Sequence, residues 1–216
     1  MMRPFIKYAT QGTVIAYLIT VQPASAQSLE KLLEAVELGK AKEVAALLEQ
    51  GLDVNSTGPQ GQTILMAASR LGHLELVRLL IARKANPNRQ SPTGDTALMM
   101  ASLGGHLEIV KLLDGSGAEI SSRGWTALHY AAFSGATDIV RFLVARGAAR
   151  DAIAPNWDTP LTLAIRSGHL AAANALVSLG ANVSHHDKDG QSVLSLAKVK
   201  GYTDLAEALR RAGATE

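Results

Sequence analysis

The 216-residue chain contains no cysteine, which excludes disulfides, thiolate metal sites, thiol nucleophiles and a lipidated N-terminal cysteine. It also lacks an excess of charge of either sign. Lys and Arg number 21 against 19 Asp and Glu, and two of the cations, Arg3 and Lys7, precede Gln27, so the remainder is formally neutral. A neutral chain is a poor counterion for nucleic acid or anionic lipid, and neither is expected as a partner. Long apolar runs are missing as well. The strongest, Thr13-Val14-Ile15-Ala16-Tyr17-Leu18-Ile19-Thr20-Val21, is too short for a hydrocarbon core that needs about 20 residues. Aromatic residues make up only 4%, so each one in the body of the chain invites an explanation. What is abundant is apolar material: 47% of residues are hydrophobic, enough for a packed core and incompatible with wholesale disorder.

The first 26 residues have the order of an export signal. Arg3 and Lys7 form a positive start, the short apolar run follows, and Pro23 breaks it ahead of Ala24-Ser25-Ala26, an Ala-x-Ala cleavage pattern. The expectation is a cleavable signal peptide over 1–26 and a mature chain from Gln27. With no twin arginine, the general secretory route and a periplasmic location are favoured over an extracellular one.

The rest of the chain repeats. One glycine series runs Gly39, Gly72, Gly105, Gly135, Gly168, Gly201; a second runs Gly51, Lys84, Gly117, Gly147, Gly180, Gly213. Both keep a spacing of 33 residues except for one shortened to 30, and the missing residues fall between Ala118 and Thr126. Each unit opens with a turn and a hydroxyl residue, Thr63, Thr96, Thr126, Thr159 or Ser192, suited to capping a helix, and Pro160 sits at a first helical position. A short helix with small residues such as Ala131-Ala132 ends at the first-series glycine. A second helix follows with apolar residues at helical spacing, as in Leu74, Leu76, Val77, Leu79 and Leu80. Neither helix hides its apolar face alone, so the units must stack.

Gly124-Trp125-Thr126-Ala127-Leu128-His129-Tyr130-Ala131-Ala132, the run from Gly105 to Leu113, and Gly147-Ala148 resemble the ankyrin repeat. The resemblance covers Ser28 to Gly213 and implies an all-α repeat solenoid of helix-turn-helix units with short β-hairpin fingers and a concave surface. The domain, 27–216, divides into about six repeats: 28–57, 58–90, 91–120, 121–153, 154–186 and 187–216. The first lacks its opening turn. The last reads as a polar cap at Glu207, Arg210 and Arg211. Met66 and Met99 replace the family's usual His, whose hydrogen bonds are expected to be lost there, and Lys84 replaces a capping Gly.

The resemblance implies a non-catalytic scaffold that binds another protein; no cofactor or metal is expected, and a monomer is expected because stacked repeats with polar caps satisfy their own core. The aromatic residues are where binding is sought. Trp125 lies at a finger position, Trp157 replaces a turn glycine, and Tyr130 and Phe133, three residues apart, share a helix face. Met100 and Leu103 hold the equivalent positions one repeat earlier and Arg166 one repeat later. Exposed aromatics and arginines dominate binding hot spots. The expected partner surface is therefore Met100, Leu103, Arg123, Trp125, Tyr130, Phe133, Trp157 and Arg166, with Arg123 and Arg166 pairing carboxylates on the partner. Exported bacterial proteins that look like this include some that accompany catalases in peroxide defence and others that neutralise toxins. Two further readings are a metal-dependent hydrolase built on His185, His186, Asp187 and Asp189, and an effector secreted to a host.

Overall fold

The computed structural model describes residues 24–121 and 124–215. Among these, twelve helices form six pairs: α1 (Ala24–Glu37) and α2 (Ala41–Glu49), α3 (Ile64–Leu71) and α4 (Leu74–Ala82), α5 (Ala97–Leu103) and α6 (Leu107–Gly115), α7 (Ala127–Ser134) and α8 (Thr137–Ala145), α9 (Pro160–Arg166) and α10 (Leu170–Ser178), α11 (Val193–Val199) and α12 (Thr203–Arg211). The expected export signal lies outside the described residues except for Ala24, Ser25 and Ala26, which open α1. No helix among the described residues is long and apolar enough to cross a membrane.

The odd-numbered helices stack on one another as an inner layer and the even-numbered ones as an outer layer. Helices of seven to nine residues are marginal by themselves, and it is the stacking that stabilises them. Leu65, Leu98, Leu128, Leu161 and Leu194 recur at one inner position, Leu80, Leu113, Leu143, Leu176 and Leu209 at one outer position, and none is more than 2% exposed. Burying a leucine contributes roughly 1.5–3 kcal/mol. Ala131 and Ala132 are fully buried, as the small-residue pattern requires. Each of the five hydroxyl residues caps its inner helix, accepting a hydrogen bond from the backbone N–H three residues on.

The fingers are tighter than hairpins. Among the described residues, strand pairing is reduced to two isolated bridges, Thr57 with Thr63 and His186 with Ser192. The loops are closed instead by turn hydrogen bonds such as Ser91 N–H to Asp95 O and Ala154 N–H to Asp158 O, both 2.9 Å. His73 and His106 tie repeats together as their phase suggests: their Nε2 atoms donate to the carbonyls of Glu37 at 2.9 Å and Arg70 at 3.1 Å. At Met66 the interaction of the replaced His is weakened rather than lost, since Thr63 N–H still reaches the Met66 sulfur at 3.4 Å.

Lys84 stands where the other repeats have a glycine and adopts φ +68°, a left-handed conformation that costs an L-residue roughly 1–2 kcal/mol. Its side chain is exposed. Lys84→Gly is therefore expected to stabilise the domain by about 0.5–1 kcal/mol, after allowing for the greater freedom of glycine in the unfolded chain. A raised midpoint in chemical denaturation checks it.

Candidate functional site

The expected surface residues separate into three groups. Phe133 and Trp157 are open to solvent, at 51% and 58% exposure. Trp157 lies in the fifth finger, and Phe133 lies near the C-terminal end of α7. Trp157 adopts φ +68° at the position held by Gly61, Gly94, Gly124 and Gly190 in other repeats, and its turn is closed by its own N–H on Ala154 O at 2.8 Å. A bulky residue in that region of backbone space is a genuine outlier. Ile153, 53% exposed, and the exposed Pro155 sit in the same finger, so this finger presents an apolar tip that the sequence reading credited to Trp157 alone.

A second group is half-buried and engaged within the protein. The Trp125 ring meets His129 edge-on at 5.6 Å between centroids and lies 6.0 Å from Tyr130 at a 42° tilt. Tyr130 donates its hydroxyl to Asp95 Oδ1 at 2.5 Å, and its burial together with the Asp95 carboxylate raises the phenol well above its ordinary pKa. Leu103 packs partly against the core. These side chains border the open aromatics and also hold repeats three and four together.

The third group does not serve as expected. Met100 is only 3% exposed and belongs to the core: three residues along a short helix separate it from Leu103, and the stacked inner helices cover it. Arg166 is not free to seek a partner's carboxylate. Its Nε lies 3.1 Å from Asp158 Oδ1 and its Nη2 donates to Asp187 Oδ2, and the two carboxylate side chains are 6% and 3% exposed. Arg123 lies outside the described residues.

The four residues of the metal-hydrolase reading do not converge. His185 Nε2 bonds Trp157 O at 2.9 Å, His186 Nδ1 bonds Ser184 O at 3.0 Å, and Asp187 Oδ1 accepts the N–H groups of Asp189 and Gln191, both at 2.9 Å. Among the described residues no three or more such side chains gather as a metal site would require. Burial pushes the Asp187 carboxyl up, but those two N–H groups and Arg166 outweigh it and hold the carboxyl below its ordinary value.

The aspartates are what the sequence reading missed. Asp95 and Asp158 occupy the same repeat position as Trp125, just before the capping threonine, and that shared phase was the available signal. A shallow groove of about 380 Å³ lies elsewhere, between α1 and the finger of the second repeat, lined by Leu33, Glu37, Gln62 and Arg70.

His129 gives the site's border a pH dependence. It is fully buried; Nδ1 accepts the N–H of Thr126 at 3.2 Å, while Nε2 donates to Ala152 O at 3.0 Å and Asp158 O at 3.3 Å. Burial lowers its pKa from the ordinary 6.5. A histidine with a lowered folded-state pKa binds a proton less readily folded than unfolded, so stability is full above pH 6.5 and falls as the pH drops below it. His129→Met, which supplies the residue found at positions 66 and 99, is expected to remove that slope. Thermal melts at pH values either side of 6.5 compare the two chains.

A family model for three copies of the ankyrin repeat matches residues 6–91, 32–123 and 80–154, and a single-repeat model matches 156–188. Among curated proteins, the putative palmitoyltransferase ZDHHC13 of Danio rerio is 40% identical over 73 residues, 33% of this chain and 11% of that protein. Protein phosphatase 1 regulatory subunit 27 of Mus musculus is 46% identical over 74 residues, 34% of this chain and 48% of that one. The match thus spans less than half the length of either relative. Two solved structures are similar across most of the chain. The human ASB11 ankyrin repeat domain has a TM-score of 0.77 at 26% identity, covering 85% of this chain and 84% of its own. An ankyrin repeat domain from Acinetobacter baumannii AYE has a TM-score of 0.75 at 29% identity, covering 85% and 98%.

Proposed function

Since the chain belongs to the ankyrin-repeat family, whose fold is generally a non-catalytic scaffold for protein interaction, we propose that it binds another protein through the finger and inner-helix surface around Phe133 and Trp157. One observation carries the reading: Trp157 is 58% exposed and sits in a left-handed conformation that glycine holds in the sister repeats. Folding alone favours glycine there. Exposed large apolar groups of this kind mark interfaces, and tryptophan is the residue most enriched at their energetic centres.

We propose further that the protein is exported to the periplasm with cleavage before Gln27, and acts there either by neutralising a toxin or by supporting an envelope enzyme such as a catalase. The support is the positive start, short apolar run and Ala-x-Ala of residues 1–26. N-terminal sequencing of the chain from a periplasmic fraction tests it, with Gln27 as the expected first residue. Retention of Met1 in the cytoplasm contradicts it, and recovery from the medium points to the effector reading.

The binding proposal is tested by affinity capture from the native cell with the tagged full chain and with Phe133→Ala/Trp157→Gly. Both replaced side chains are exposed, so the variant keeps its fold, whereas removing Trp125 or Tyr130 also breaks contacts within the protein. A protein captured by the parent and lost with the variant supports the surface. Equal capture by both contradicts it.

A further inference from the structure

Strained backbone persists only where its surroundings over-determine it, and the ties that do so around Trp157 come from three repeats. His129, in the fourth, donates to Ala152 O and Asp158 O. Within the fifth, Asn156 Nδ2 donates to Asp158 Oδ2 at 2.7 Å. Also within the fifth, His185 Nε2 donates to Trp157 O at 2.9 Å, and from the sixth Asp187 shares Arg166 with Asp158. Asp158 follows Trp157 directly in the chain, so fixing its side chain fixes the backbone on one side of the tryptophan.

We infer that Arg166 is a positioning residue: it links the fifth and sixth fingers through Asp158 and Asp187 and thereby holds Trp157 in its presented conformation. The position itself does not require arginine, since the third, fourth and sixth repeats carry Leu103, Phe133 and Val199 there and only the second repeat shares it, as Arg70. Its two carboxylate partners are almost completely buried: Asp187 accepts a charge-assisted hydrogen bond from it, and Asp158 Oδ1, which has no hydrogen-bond partner among the described residues, is held by the charge of the guanidinium. That a presented Trp157 serves recognition rests on the reading above. The coupling does not, and it is measurable without a partner, so its failure leaves the binding proposal standing.

Trp125 and Trp157 are the only two tryptophans, so Trp125→Phe in the full chain makes Trp157 the sole reporter for time-resolved fluorescence anisotropy, read well below the melting transition. Adding Arg166→Leu is expected to lower the Tm, because two buried carboxylates lose their cation, and to raise the amplitude of nanosecond motion at Trp157 about twofold. Adding Asp158→Asn and Asp187→Asn to that variant removes the stranded charges while leaving amide oxygens for the bonds within each finger. Most of the Tm then returns and Trp157 stays mobile. Arg166→Lys, whose single ammonium engages one carboxylate at a time, gives an intermediate amplitude. If anisotropy in the charge-neutralised variant matches the Trp125→Phe parent, Arg166 contributes to stability alone and the positioning role is overturned. That variant also decides the matter if Arg166→Leu by itself does not fold.

Discussion

Gly135→Ala lowers the stability of the domain by about 3 kcal/mol, the sum of a left-handed backbone penalty and an overpacking term. Gly135 ends α7 at φ +74°, and a methyl group built there lies 2.5 Å from His169 Nδ1 and 2.7 Å from its Cγ. The histidine ring from the next repeat rests on the glycine and must shift to admit a methyl group. Gly72→Ala is expected to behave alike, with His106 Cε1 at 2.5 Å. Gly147 supplies the internal control. Its φ is +88° but nothing lies within 4 Å of the added methyl, so Gly147→Ala carries the backbone penalty only, roughly 1–2 kcal/mol. Urea denaturation of the three variants checks the difference, and equal losses would remove the ring-on-glycine contact from the account of inter-repeat coupling.

Trp157→Gly moves stability and binding in opposite directions. Restoring glycine at φ +68° relieves the left-handed strain and is expected to stabilise the chain by about 0.5–1 kcal/mol. Loss of an exposed hot-spot tryptophan weakens the partner complex by about 2 kcal/mol, some thirtyfold. Thermal denaturation and a binding titration with the captured partner read the two effects separately. A drop in Tm would place Trp157 among the packing residues, and unchanged affinity would remove it from the interface.

Much of the fold was legible because it follows local rules. The glycine series mark left-handed helix ends, the Ser and Thr residues cap, and the leucines recur in phase. The same phase exposes Lys84 and Trp157 as non-glycine residues at glycine positions, and both have positive φ. The finger surface was less legible because exposure there depends on neighbouring repeats. Tyr130 and Phe133 share a face by spacing, yet Tyr130 is drawn against Asp95, 35 residues away, while Phe133 stays open. Met100 looks like a surface residue until the stacked inner helices cover it. Arg166 reads as a free cation because Asp187, 21 residues distant, has no local relation to it. Adjacent His185 and His186 suggest a metal site only until their rings are seen to serve Trp157 and Ser184.

The central claim, recognition through the finger and inner-helix surface, is tested most directly by photo-crosslinking in the native cell. A photoreactive phenylalanine analogue is placed in the full chain at position 133, on the open end of α7, or at position 141, on the exposed side of the outer helix α8. A discrete crosslinked species from position 133 and none from position 141 is the expected result. A discrete species from position 141 with none from position 133 would contradict the claim and move the interface to the outer face.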